Sequence, residues 1–150
     1  MIIGYHILTS HGRHPSREQF ATGDVRANAE ELARRISLVF GAYGPDLDVT
    51  SGFRPQHVND RLRENGKKAA KNSHHIFGAA ADLGDNDRKF AMWCIHSVDI
   101  LAHVKLWMEH PDYSRERNDA GEWVSWVHLQ MVPPPSGKRI FIPYLGGPPK

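Results

Sequence analysis

Ser73-His74-His75-Ile76-Phe77-Gly78-Ala79-Ala80-Ala81-Asp82 is the stretch on which the reading of this chain turns. Gly78 permits a reversal of the backbone, so His75 before the turn and Asp82 on the strand leaving it converge on one point. Alternation along that strand puts Gly78, Ala80 and Asp82 on one face, and the small neighbours leave space for an ion and a substrate. Imidazole and carboxylate are good zinc donors, but two donors do not make a site. The third is expected from far along the chain. His128, in Trp123-Val124-Ser125-Trp126-Val127-His128-Leu129-Gln130, lies in an alternating apolar run where an unpaired imidazole would be costly. Taken alone, each histidine reads as a hydrogen-bonded core residue; together, two His and one Asp leave a fourth tetrahedral position open, as catalytic zinc requires.

On either side of this stretch the periodicities define the remaining elements. Val25, Ala29, Leu32, Ile36, Val39 and Phe40 recur at helical spacing, with Asp24 as the expected N-cap and Gly41 or Gly44 as the stop. A short strand is expected over 47–50, then a short helix over 56–64 carrying Val58 and Leu62. The basic run 65–72 reads as a solvated loop. A buried strand over 79–83, one helix over 88–103, a strand over 104–108 and a strand over 123–131 follow, with 112–122 as a charged loop. The first twenty residues read as irregular. The proline-rich tail from Pro133, including 146–149, is expected to wrap the surface or dangle. With helices early and in the middle and no βαβ rhythm, the pattern predicts an α+β fold: a single small domain over 1–150, helices packed on a small, mainly antiparallel sheet.

Composition narrows the function classes. The 150 residues suit one domain. A net charge of +2 is too weak to argue for nucleic acid or an anionic membrane. The single cysteine, Cys94, excludes an internal disulfide framework and multi-cysteine zinc sites, and is expected to be an inert buried thiol. No apolar run approaches the ~20 residues of a membrane span, and the N-terminus lacks a signal-peptide layout, so cytoplasmic synthesis without membrane insertion is expected. Ten histidines make a His/carboxylate metal site the feature to pursue.

Three ordered segments resemble one family. Ser73-x-His75-x-x-Gly78-x-Ala80-x-Asp82 is similar to the Ser-x-His-x-x-Gly-x-Ala-x-Asp motif of the zinc D-Ala-D-Ala peptidases. Ser51-Gly52-Phe53-Arg54-Pro55, followed by Asn59, resembles the family's Ser-Gly-Tyr-Arg segment, and Trp126-Val127-His128 its aromatic-aliphatic-His strand. The likeness is greatest to small phage-type D,D-carboxypeptidases and L-alanyl-D-glutamate endolysins. It implies a D,D-peptidase/hedgehog-like fold and one Zn2+ per chain on His75, Asp82 and His128. It also implies that Arg54 holds a substrate carboxylate or polarises the scissile carbonyl, roles that suit a planar guanidinium. Ser73 is expected to brace the ligand loop by hydrogen bonding, and His74 to be surface or structural.

The pattern breaks at the general base. The family usually places Asp or Glu three residues before the last ligand, and some members add a His two before it; here those positions are Ser125 and Trp126. Glu122 is the nearest carboxylate in sequence, but six residues of extended strand span about 20 Å, so it reaches the metal only if 122–126 loops back. Asp119, Asp112 and Glu109 are the other acidic candidates, with His110 and His96 behind them. The leading expectation is therefore a zinc metallopeptidase cutting an amide bond in peptidoglycan stem peptides, released to the cell wall. The alternative is a weak or inactive structural or binding module of a phage particle with the same fold. Restoring a base with Ser125→Asp is the expected discriminator. Trp107, Trp123, Trp126 and Phe77 line a groove or fill the core.

Overall fold

The computed structural model describes residues 5–10, 14–67 and 69–143. Its scaffold begins with helix α2 (Gly23–Tyr43), which follows a short helix α1 (Tyr5–Ser10) and a 3-10 turn (Pro15–Phe20). Val25, Ala29, Leu32, Ala33, Ile36, Val39 and Phe40 form the buried stripe of α2, as the spacing predicts. Its N-cap is Thr22 rather than Asp24: the Thr22 side chain accepts a hydrogen bond from the Val25 N–H, and Asp24 sits in the first turn, where its charge complements the helix dipole. Gly44 ends the helix with φ of 115°, a conformation open mainly to glycine. The expectation of an irregular first twenty residues fails for both early turns. Leu8 of α1 is buried in the core, an apolar contribution too short to show as a period.

The sheet contains β1 (Val49–Ser51), β2 (Ala80–Gly84), β3 (Trp107–Glu109), β4 (Arg115–Arg117), β5 (Trp123–Gln130) and β6 (Ile140–Phe141). Its order is β1-β2-β5-β3-β6, with β4 pairing the first half of β5; all pairs are antiparallel except β3 with β6. This is the expected α+β fold with a mainly antiparallel sheet. The β5 strand is central, flanked by β2 on one side and by β3 and β4 on the other. Ala81 and Leu83 of β2, Met108 of β3, and Val127 and Leu129 of β5 point to one side. There they form a single core with Leu32 and Ile36 of α2, Phe90 and Cys94 of α4 (Lys89–His96) and Leu101 of α5 (Val98–His103). The opposite faces of the same strands carry Asp82, His128 and Glu109.

Other boundaries differ from expectation, among them the strand over 104–108, which begins only at Trp107 and runs to Glu109. The single helix over 88–103 breaks at Ser97 (φ −122°, ψ 36°), where the apolar stripe shifts and a serine interrupts the run. The loop over 112–122 contains a 3-10 turn (Pro111–Tyr113) and strand β4, which forms a hairpin with β5. Part of the tail is ordered: Ile140 and Phe141 add β6 to the sheet, while 144–150, and with them the 146–149 segment, lie outside the described residues. Helix α3 (Gln56–Glu64) matches its expected limits. Among the described residues no helix is long and apolar enough to cross a membrane.

Candidate metal centre

Two of the three proposed ligands are brought together by the sheet. Asp82 and His128 are direct cross-strand partners in the β2–β5 register, and His128 Nδ1 lies 2.9 Å from Asp82 Oδ1. His75 arrives from a 3-10 turn (His74–Phe77), and its Nε2 is 3.3 Å from the same Oδ1. Donor atoms of the three side chains lie within 4.8 Å of one another, a group able to hold a metal ion.

The loop that delivers His75 is fixed by local chemistry. Ser73 caps the turn by accepting from the His75 N–H at 3.2 Å, so its bracing role is present. Gly78 leaves the turn at φ 72°, and a Cβ there would stand 2.7 Å from the Val25 carbonyl oxygen. The turn therefore requires glycine for both conformation and space. The loop is latched onto residues 52–54: the Arg54 N–H donates to the His75 carbonyl, and His75 Nδ1–H donates to the Gly52 carbonyl at 2.8 Å. That bond fixes the tautomer and aims Nε2 at Asp82. Gly52 is itself pressed by α1, where the Leu8 carbonyl oxygen occupies the place a Cβ would take.

His128 is oriented in the same way from its other side. Its Nε2 is 2.9 Å from Gln130 Oε1, leaving Nδ1 toward Asp82. Gln130 was not among the expected site residues, although its place two positions after His128 on the same strand face signals the contact. Burial alone would lower the His128 pKa, but the hydrogen-bonded Asp82 carboxylate outweighs it, helped by Glu109 and Gln130, and raises it to about 9. Burial dominates at His75, whose pKa is lowered despite Asp82. At Asp82 burial is overcome by the two imidazoles, which hold the carboxylate well below its usual range. At neutral pH the metal-free centre thus consists of a charged His128, a neutral His75 and an ionised Asp82, with one proton standing at Nδ1 where an ion would bind.

Arg54 lies beside this group. It is 8% exposed, its Nη2 donates to Ser73 Oγ at 3.2 Å, and its Nε has no hydrogen-bond partner. Burial lowers its pKa and the Asp82 charge opposes the shift. A buried guanidinium with an unsatisfied N–H is costly unless an incoming group completes it. His74, expected to be surface or structural, is half-buried, and its pKa is lowered by burial and then by the charge of His128.

The base candidates separate cleanly. Strand β5 is unbroken from Trp123, so 122–126 does not loop back; Glu122 is exposed on the β4–β5 turn, its N–H bonded to Asn118 Oδ1, and it is not part of the site. Asp119 is exposed on the same turn. Asp112 is exposed and paired with Arg88 at 2.8 Å; His110 caps the 3-10 turn; His96 Nδ1 bonds the Met92 carbonyl on α4. Ser125 is buried on the core-facing side of β5, in phase with Val127 and Leu129 and opposite to His128. Glu109 alone of the candidates falls on the ligand face. These four aromatics are outside the core cluster: Phe77 is 53% and Trp123 48% exposed, the latter with the guanidinia of Arg115 and Arg117 over its ring, while Trp107 carries Arg139 on its ring and Trp126 is half-buried in β5. Cys94 is fully buried, and burial pushes its thiol up to about 12, as an inert core cysteine should behave.

No family model, curated protein or solved structure matches this chain.

Proposed function

We propose that this chain is a zinc-dependent peptidase of the D-Ala-D-Ala peptidase type, hydrolysing an amide bond in peptidoglycan stem peptides. The observation that carries the reading is the joint placement of the His75–Asp82–His128 group and the nine-tenths-buried Arg54 with its unpartnered Nε. The donor set fits zinc: two imidazoles, each with its remote nitrogen held by an oxygen, and one carboxylate. Zinc bound there would supply a Lewis acid that polarises the scissile carbonyl and makes water a stronger acid.

The protein's own groups do the rest. His75, Asp82 and His128 are preset by the Gly52 carbonyl, the β2–β5 register and Gln130, so little reorganisation accompanies ion binding. Arg54 sets a fixed positive charge beside Asp82, where its guanidinium would attract a peptide carboxylate or the negative charge that develops on the carbonyl oxygen. Ser73 holds both the Arg54 guanidinium and the His75 loop, so the ligand and the substrate-binding group move as one unit.

The test is digestion of purified peptidoglycan by zinc-loaded protein, beside chelated protein and a His75→Ala variant, with products read by mass. Products that need both the metal and His75 support the reading, and their masses name the bond. Absence of products with one zinc per chain overturns it. The position of Ser125 favours the second reading, a phage structural or binding module that keeps the ion for stability without turnover, because the usual base position faces the core.

A further inference from the structure

We propose that Glu109 is the catalytic proton acceptor of this site, reached across the sheet from β3. The proposal rests on the hydrolase reading above and supplies the group that Ser125 does not. In the β3–β5 pair Trp107 faces Gln130 and Met108 faces Leu129, so the next antiparallel step sets Glu109 opposite His128. Met108 is fully buried in the core, and alternation therefore turns Glu109 to the other face, the one that bears Asp82 and His128. Directly opposed residues on one face stand about 5 Å apart at Cβ, which leaves a glutamate side chain able to reach the space beside a ligand imidazole.

The local chain is built to hold that carboxylate. After Glu109 the strand leaves β5 through the 3-10 turn Pro111–Tyr113 and returns as β4. Ser114, at the point of return and fully buried, accepts the Trp126 N–H through its carbonyl and donates its hydroxyl to Glu109 Oε1 at 2.7 Å. The turn is thus pinched shut by a bond whose acceptor is the proposed base, and the carboxylate is oriented before any substrate enters. The Glu109 charge is also one of those felt at His128. On the ligand-facing sides of β2, β3 and β5, Asp82 and Glu109 are the two carboxylates, and Asp82 is committed to the metal group.

In the reaction, Glu109 takes a proton from the attacking water as the water oxygen bonds to the carbonyl carbon. It returns that proton to the nitrogen as the C–N bond breaks, giving a carboxylic acid and an amine; the water's second proton then passes from acid to amine, leaving carboxylate and ammonium products with Glu109 ionised as at the start.

The test compares Glu109→Gln and Glu109→Asp with the unaltered protein. Zinc content, melting temperature and calorimetric affinity for an uncleaved stem pentapeptide are read alongside cleavage. Glutamine keeps an oxygen for the Ser114 hydroxyl but cannot hold the proton. The expected result for Glu109→Gln is one zinc per chain, a melting temperature and peptide affinity close to those of the parent, and kcat lower by about 100-fold or more. Glu109→Asp is expected to recover part of the lost kcat with KM unchanged. A Glu109→Gln protein that cleaves within about threefold of the parent overturns the proposal while leaving the hydrolase reading intact. Loss of zinc or of peptide binding in that variant overturns it in favour of a structural role. A zinc-loaded parent that cleaves no stem peptide removes the hydrolase reading, and the proposal with it.

Discussion

The proton at His128 Nδ1 stands where an ion would bind, and this fixes how metal affinity depends on pH. Titrating zinc into the metal-free protein is the perturbation. With a His128 pKa of about 9, nearly every molecule carries that proton at pH 7, and an ion must displace it. His75 is neutral and Asp82 ionised, so neither adds a second proton. Displacement across two pH units weakens apparent binding at pH 7 by about 100-fold, on the order of 3 kcal/mol, relative to a neutral site. Between pH 6.5 and pH 8 affinity should therefore rise by about 30-fold, with close to one proton released per ion. Calorimetric titration in buffers of different ionisation enthalpy measures both quantities. A flat affinity with no proton released would refute the charged His128 and the Asp82 hydrogen bond behind it.

The same groups shape the stability of the metal-free protein. The raised His128 pKa contributes stability that is complete below its ordinary 6.5 and lost as pH rises through about 9. The lowered His75 pKa contributes stability that is lost as pH falls below 6.5, so melting temperature should peak near that pH. Ser125→Asp, placed among buried groups on the core side, should lower stability by about 1–3 kcal/mol in denaturant titration and should not raise cleavage. Gly78→Ala should cost more than about 2 kcal/mol and lower zinc occupancy, read by melting and elemental analysis, because φ is 72° and the Val25 carbonyl leaves no room. Arg54→Lys should retain zinc but cleave stem peptide at least about tenfold more slowly, since a point charge does not reproduce the planar fork.

Sequence spacing makes the long elements and the three-residue metal group legible, for a common reason. The α2 stripe and the β5 alternation repeat often enough to fix their faces, and the Gly78 turn fixes how His75 meets Asp82. The proposed base is less legible because it depends on partners rather than on distance along the chain. Glu122 is nearest in sequence yet lies at the far end of an unbroken strand, whereas Glu109, nineteen residues before His128, becomes its neighbour only once β3 pairs with β5. Ser125 fails for parity, which requires knowing that β5 has no bulge between it and His128. Strand β6 is two residues long in a proline-rich setting and offers no period to read; its order comes from pairing with β3. Thr22 displaces Asp24 as the cap by two residues, a shift that only the hydrogen bond to Val25 resolves.

The three side chains of the candidate metal centre are anchored unequally. Asp82 and His128 sit on adjacent central strands, so they separate only when the sheet itself opens, an event governed by global unfolding. His75 hangs on a single 3-10 turn held by the Gly52 carbonyl, the Ser73 cap and the Arg54 N–H, local bonds that lie outside the sheet ladder. Local fluctuation of residues 73–78 should therefore set the residence time of a bound ion, and chelators should strip it far faster than the chain unfolds. Amide exchange at His75 and Ile76 should slow on metal loading, while exchange in β5 is already limited by the stability of the whole fold.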